Sequence, residues 1–390
     1  MTSAMKERSG SFEDPLLPSF EADPISDRKS HRLKVNAMKL EEDLAKKHKV
    51  FQSMPLLLEF STNNKCNLQC IMCSPKGRQA KSLDPEIVRE ELVEKLFPDA
   101  LCLLPSSGSE PFLGDFGLLS EGCVEHEVQL NIITNGVLMT PERMEIVEPA
   151  IGRIQVSVDG HRKELYESIR VGAKFEHVTA NVKHATELAR RKGFALLLSA
   201  VFSNELAPEL DAYVRFAADL GADAAVFQNI HHTTKEAIKM DAFRTFSLGE
   251  ISEYKEKAVQ VARDAGLDIH FDFNPPFVAK FNPRIYRRYY ANHLQHVMVN
   301  RFPHICFMSA TYVNINPDGF VYPCCVAPAQ LKMGNIKRHS FAEIWNGRKY
   351  RNFRRAMFKR SYPKPCRNCK QLARGAWALK KRKDWESSLD

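Results

Sequence analysis

No run of the 390-residue chain approaches the roughly 18 consecutive apolar residues that a membrane-spanning helix needs. The first 50 residues are polar and lack the apolar core of a secretory signal. Ten cysteines without such a signal point to a reducing compartment, so a cytoplasmic location is expected. Histidine is missing from the densest cysteine loop, which argues against a structural zinc site there, and the cysteine spacings do not read as a disulfide framework. No RNA- or DNA-binding motif accompanies the formal net charge of +9, so neither nucleic acid nor a membrane is expected as a partner. Hydrophobic residues at 44% and charged residues at 26% suit a globular protein with room for one large domain and a smaller one.

What is present begins with Cys66-Asn-Leu-Gln-Cys70-Ile-Met-Cys73, directly after the apolar run Leu56–Phe60. The spacing C-x3-C-x2-C puts three thiolates on one short loop, the number that grips three corners of a cubane iron–sulfur cluster. The fourth iron is then left open to bind a small molecule and pass it an electron, which makes the loop catalytic rather than structural. From about residue 54, strand-like runs at Leu56–Phe60, Ala100–Leu104, Val128–Ile133, Arg153–Val158, Ala195–Val201 and Ala222–Phe227 alternate with amphipathic helical stretches. Asp84-Pro85-Glu86 and Thr140-Pro141-Glu142 are cap-then-proline helix starts. Six such units predict an α/β fold with a partial (β/α)6 barrel, whose chemistry gathers at the carboxyl ends of the strands.

The division expected is an N-terminal extension over 1–50, poorly ordered except for a helix near 31–50, a barrel over 51–273, and a linker with a small cysteine-bearing domain over 274–390. Basic residues gather at Lys280–Arg288, Lys337–Arg360 and Lys380–Lys383. These are solvated faces, or they attract an anionic substrate or an acidic electron donor of the flavodoxin or ferredoxin type.

The cysteine loop resembles the hallmark C-x3-C-x-Φ-C of the radical S-adenosylmethionine (SAM) superfamily, with Met72 in the usually aromatic Φ place, where a thioether would pack on adenine. The resemblance implies a [4Fe–4S] cluster on Cys66, Cys70 and Cys73 whose open iron chelates SAM, and a 5′-deoxyadenosyl radical that abstracts a substrate hydrogen. Ser106-Ser-Gly-Ser109-Glu110-Pro111 is similar to the family's Gly-Gly-Glu-Pro segment, which would set Glu110 on the SAM ammonium group with Ser109 in the second glycine place. Thr134-Asn135-Gly136 stands where the family shows the same turn. Ser157-Val-Asp159-Gly160 followed by Tyr166-Glu-Ser-Ile-Arg170 resembles the stretch in which Ser157 would contact ribose or carboxylate and Arg170 would hold the carboxylate. Ser199 ends the fifth strand within reach of the ribose. His231, beside His232 after the sixth, is a candidate base near pH 7.

The second constellation is Cys306, Cys324, Cys366 and Cys369. An Asn316-Pro317-Asp318-Gly319 turn between alternating runs predicts a hairpin. Gly319-x4-Cys324, with the Ser340-to-Trp345 helix, resembles the SPASM/twitch auxiliary-cluster domain, here its shorter single-cluster form. Four thiolates would hold a second [4Fe–4S] cluster, with zinc as the rival occupant. Cys325 either replaces Cys324 as ligand, donates a hydrogen atom in catalysis, or packs as a small apolar group.

Two reactions fit this apparatus. The first is oxidation of a small polar metabolite such as a sugar, cyclitol, nucleoside or amino acid, assisted by the auxiliary cluster. The second is maturation of a ribosomal peptide or protein by thioether crosslinking, epimerisation or side-chain oxidation. The N-terminal segment is too short for a leader-binding domain, which favours the first. A scaffold without SAM chemistry is disfavoured by the intact Glu110, Ser157 and Arg170 set. The segment Pro275–Pro303, with Lys280, Arg284, Arg287 and Arg288, is expected to line the pocket and favour an anionic substrate.

Overall fold

The structure, a computed structural model, describes residues 25–73, 79–105, 108–272, 277–278, 297–298, 301–325, 331–367, 369 and 372. Lys280, Arg284, Arg287 and Arg288, and with them the expected anionic pocket lining, lie outside the described residues, as do Ser106, Ser107 and the basic tail.

One 11-stranded sheet organises the chain. Its strands are β1 (Leu57–Phe60), β2 (Cys102–Leu104), β3 (Gln129–Thr134), β4 (Ile151–Ser157), β5 (Ala195–Val201), β6 (Ala224–Gln228), β7 (Asp268–Asp272), β8 (Phe277–Val278), β9 (Tyr312–Ile315), β10 (Phe320–Tyr322) and β11 (Gly334–Asn335), in the spatial order β11-β10-β9-β1-β2-β3-β4-β5-β6-β7-β8. The run from β9 through β1 to β7 is parallel, with helices as the crossovers. This is the expected barrel-type α/β fold, extended beyond the six strands by β7 at one edge.

The other edge departs from a simple two-domain division. The hairpin β9–β10 forms as predicted, turning at Gly319 with φ +83°. Yet β9 pairs in parallel with β1, Leu57 opposite Tyr312 and Phe60 opposite Ile315. The cysteine-bearing region is therefore a continuation of the barrel sheet.

Register partners on parallel strands share a face. Leu58, Phe60, Val313 and Ile315 are buried under the helices in the main core. The opposite face is mixed: Glu59, Tyr312, Asn314, Asn131, Gln155 and Ser199 are buried polar or amphipathic groups, beside a separate small apolar cluster of Ala195, Leu197, Ala224 and Val226. That second face is the barrel interior, and its polarity equips it for a ligand.

The N-terminal helix spans Asp27–Ala45 and is built into the core through Leu33, Ala37, Leu40 and Leu44. Buried Lys29 donates to the carbonyls of Phe97 and Pro98, and burial lowers its pKa to about 8. Asp43 accepts from the backbone of Gln52 and Ser53 and from the Ser53 hydroxyl. This helix braces the chain entering β1.

Candidate functional site: two cysteine sets on one sheet

The Cys66–Cys73 loop leaves the carboxyl end of β1 and is fixed by its backbone. Gln69 N–H donates to Val171 O at 2.9 Å and Ile71 N–H to Ile169 O at 3.0 Å. On its other side, the loop after β6 reaches over it: Thr233 Oγ1 donates to Met72 O at 2.7 Å and Thr234 Oγ1 to Ile71 O at 2.9 Å. Nothing in the sequence pattern signals this clasp. Met72 is half-buried against the core.

Glu110 is buried beside this loop, its N–H donating to Lys65 O at 2.8 Å. Its carboxylate accepts from Thr134 Oγ1 at 2.6 Å and Asn135 N–H at 2.9 Å. The Thr-Asn-Gly turn thus has a definite task. Asn135 Nδ2 also lies 3.9 Å from Cys66 Sγ and donates to Asn67 Oδ1 at 2.8 Å. Burial pushes the Glu110 carboxyl above its ordinary value, with the Asn135 and Thr134 hydrogen bonds opposing. Ser109 Oγ is 3.1 Å from Ser61 Oγ.

Arg170 is held by Asp159, Nε to Oδ2 at 2.5 Å, and the other Asp159 oxygen accepts from Val201 N–H at 2.8 Å. Ser157 and Ser199 are register partners at the ends of β4 and β5, facing the interior. Burial raises the Cys66 and Cys70 thiols, while nearby Arg170 pulls both down. Glu110, Arg170 and the cysteine loop therefore occupy one corner of the structure. His231 sits exposed on the loop after β6, whereas its neighbour His232 bonds Asp241 at 2.7 Å.

The second set gathers at the amino end of β9. Ser309 N–H donates to Cys306 O at 3.0 Å, and Cys369 N–H to Cys366 O at 3.2 Å. Burial raises the Cys306 thiol to about 11, and both Cys366 and Cys369 lie within its electrostatic reach. Cys324 is half-buried against the core, while Cys325 is exposed and within electrostatic reach of Glu59, Tyr312 and Cys369. Tyr312 Oη donates to the Glu59 carboxylate on the interior face, a pairing that local sequence patterning could not reveal because 253 residues separate the two. Cys102 and Cys123 are buried in the core, as structural cysteines should be.

The donor sets fit clusters. Both hold thiols whose ionisation burial disfavours, so a bound metal centre would have to stabilise the thiolates.

A parallel α/β barrel with a three-cysteine loop at the carboxyl end of β1 and further cysteines gathered at the amino end of the adjoining β9 suits an iron–sulfur enzyme. Residues 60–217 match the family described as the Radical SAM superfamily, and residues 306–370 match an iron–sulfur cluster-binding domain, SPASM. The chain belongs to the radical SAM superfamily, carries a SPASM domain, and uses SAM with two [4Fe–4S] clusters. It is similar to the PqqA peptide cyclase of Granulibacter bethesdensis, 26% identical over 331 residues, covering 81% of this chain and 79% of that protein. A probable GTP 3′,8-cyclase of Methanocaldococcus jannaschii is 24% identical over 280 residues, covering 70% of this chain and 86% of that protein. In fold the chain resembles Streptococcus suis SuiB bound to SAM, with a TM-score of 0.60 at 18% identity, covering 90% of this chain and 78% of the other. SuiB has also been solved with its precursor peptide SuiA.

These similarities correct the expected substrate. The sequence favours a small polar metabolite, yet the alignment with a peptide cyclase covers 81% of the chain and points to a peptide instead. A short N-terminal segment bears only on a separable leader-binding module. The alignment covers 81% of this chain, far more than any such module would account for.

Proposed function

We propose that this enzyme matures a ribosomally made peptide by a radical reaction at a side chain or α-carbon. The observation that carries the reading is the alignment with PqqA peptide cyclase, which covers 81% of this chain and 79% of that protein. When bound, the first cluster supplies the electron that cleaves SAM to a 5′-deoxyadenosyl radical.

The chain's own residues bind and orient. Glu110, stiffened by the Thr134–Asn135 turn, takes the SAM ammonium group. Arg170 faces the carboxylate, aimed by Asp159. Met72 packs on the adenine, and Ser157 and Ser199 serve the ribose. Cys324 completes the auxiliary ligand set with Cys306, Cys366 and Cys369. Cys325 stands with Tyr312 and Glu59 on the interior face as the thiol that serves the substrate, and His231 stands at the rim as a base. The polar interior suits a peptide segment, whose backbone amides need partners once they leave water.

The test is anaerobic incubation of reconstituted enzyme with SAM, reductant and short peptides encoded by open reading frames next to its gene. Loss of a pair of hydrogens from the peptide, matched by 5′-deoxyadenosine, is the expected result. SAM cleavage that leaves every such peptide unchanged while oxidising a small metabolite would sink the proposal.

A further inference from the structure

The helix Arg348–Phe358 divides its two faces sharply. Tyr350, Phe353, Arg354 and Met357 are buried, and Trp345 just before it donates through Nε1 to Ser53 O at 2.8 Å, near the amino end of β1. The outer face presents Arg348, Arg351 and Arg355, continued by Lys359 and Arg360, all exposed. None of these five pairs with a carboxylate among the described residues.

This arrangement opposes the helix's own electrostatics. Arg348, Lys349 and Arg351 fill the first turn, where the helix dipole is positive, with no acidic residue there and no side-chain cap at Gly347. Arg351, Arg355 and Lys359 follow at intervals of four, a spacing at which like charges repel. From Lys332 to Arg367 the chain holds twelve Lys and Arg against the single acid Glu343, an excess larger than the whole protein's +9. Glu343 itself closes the capping box with Ser340. A surface that destabilises its own helix in isolation is relieved by an anionic partner.

The location selects the partner. The helix packs toward the amino end of β1, opposite the strand ends that carry Glu110 and Ser157, so its outer face is not where a substrate meets SAM. It leads instead into the auxiliary cysteines. Arg360 lies within electrostatic reach of Tyr362, and Tyr362, within the same reach of Cys306, donates through Oη to His304 O at 2.9 Å. Lys364 and Arg367 flank Cys366.

We infer that the outer face of helix Arg348–Phe358, with Lys359 and Arg360, is the docking surface for an acidic one-electron carrier protein, which exchanges its electron at the neighbouring auxiliary cluster. The step moves one electron from reduced carrier to cluster and makes or breaks no bond. The inference rests on the iron–sulfur enzyme reading and not on the identity of any peptide, so the experiment uses none.

Full-length enzyme is titrated with an acidic flavodoxin and an acidic [2Fe–2S] ferredoxin at low and high salt. Carbodiimide crosslinks between carrier carboxylates and enzyme lysines are mapped by mass spectrometry. At least one carrier should bind with an affinity that falls steeply with salt, and crosslinks should fall on Lys349 and Lys359. The triple variant Arg348→Glu, Arg351→Glu, Arg355→Glu should weaken binding at least tenfold at low salt, while dithionite-driven 5′-deoxyadenosine formation stays within twofold. Should that variant lose helical circular dichroism, single Arg351→Gln and Arg355→Gln variants replace it, each expected to weaken binding severalfold. Crosslinks elsewhere, no binding of either carrier, or undiminished affinity in the variants would overturn the inference. So would a variant that retains carrier binding but weakens binding of a precursor peptide, which would assign this face to the substrate.

Discussion

Asp159 holds Arg170 at 2.5 Å while its second oxygen accepts from the Val201 N–H, so one buried carboxylate ties the guanidinium to the β5 backbone. Removing one partner of such a pair strands a buried charge, whereas replacing both with apolar groups is often close to neutral. Asp159→Asn should therefore lower stability by about 3–5 kcal/mol. Asp159→Asn combined with Arg170→Met should recover most of that loss without restoring SAM affinity. Thermal unfolding and equilibrium dialysis separate the two effects.

Glu110 sets a pH dependence. Its carboxyl is raised by burial, so the folded ligand-free protein keeps this proton more tightly than the unfolded chain. Its contribution to stability is present below the ordinary carboxylate value and is lost as pH rises through the raised one. SAM binding runs the other way, because an ammonium group needs the ionised carboxylate. Affinity should fall about tenfold per pH unit below the raised value. Glu110→Gln should bind SAM weakly at every pH and lose that acid limb.

Thr233 tests the clasp over the cysteine loop. Its hydroxyl bonds Met72 O at 2.7 Å, and a net hydrogen bond of this kind contributes about 1 kcal/mol. Thr233→Val should keep full iron content, weaken SAM binding severalfold and alter the electron paramagnetic resonance signal of the SAM-bound first cluster. Thr233→Ser, which retains the hydroxyl, should match the parent protein.

Cys324 and Cys325 differ in their surroundings, and iron analysis distinguishes their roles. Two four-iron clusters give about eight irons per chain. Cys324→Ser should drop this to about four. Cys325→Ser should leave it unchanged while impairing turnover of the peptide. The reverse pattern would make Cys325 the ligand.

Much of this architecture is legible in the sequence because its signals are local. The C-x3-C-x2-C loop, the Asn-Pro-Asp-Gly turn and the first six strands each lie within a few residues, and all appear within a residue or three of expectation. β7 carries a readable signal too, since Asp268-Ile-His-Phe-Asp272 alternates as a strand does. What local patterning could not give is β9 beside β1, because alternation shows that a strand exists but not which distant strand it pairs with. The same limit hides the Tyr312–Glu59 contact and the threonine clasp. Arg170 stands out through its motif, but nothing in that motif marks Asp159 as its buried partner.

The union of β1 with β9 bears on any attempt to trim the protein. Cutting after residue 273 would strip β1 of the neighbour that satisfies its outer amides and carbonyls, leaving Leu57–Phe60 as a bare, largely apolar margin. Such a fragment should stick to its own copies, so the barrel is not a severable catalytic unit.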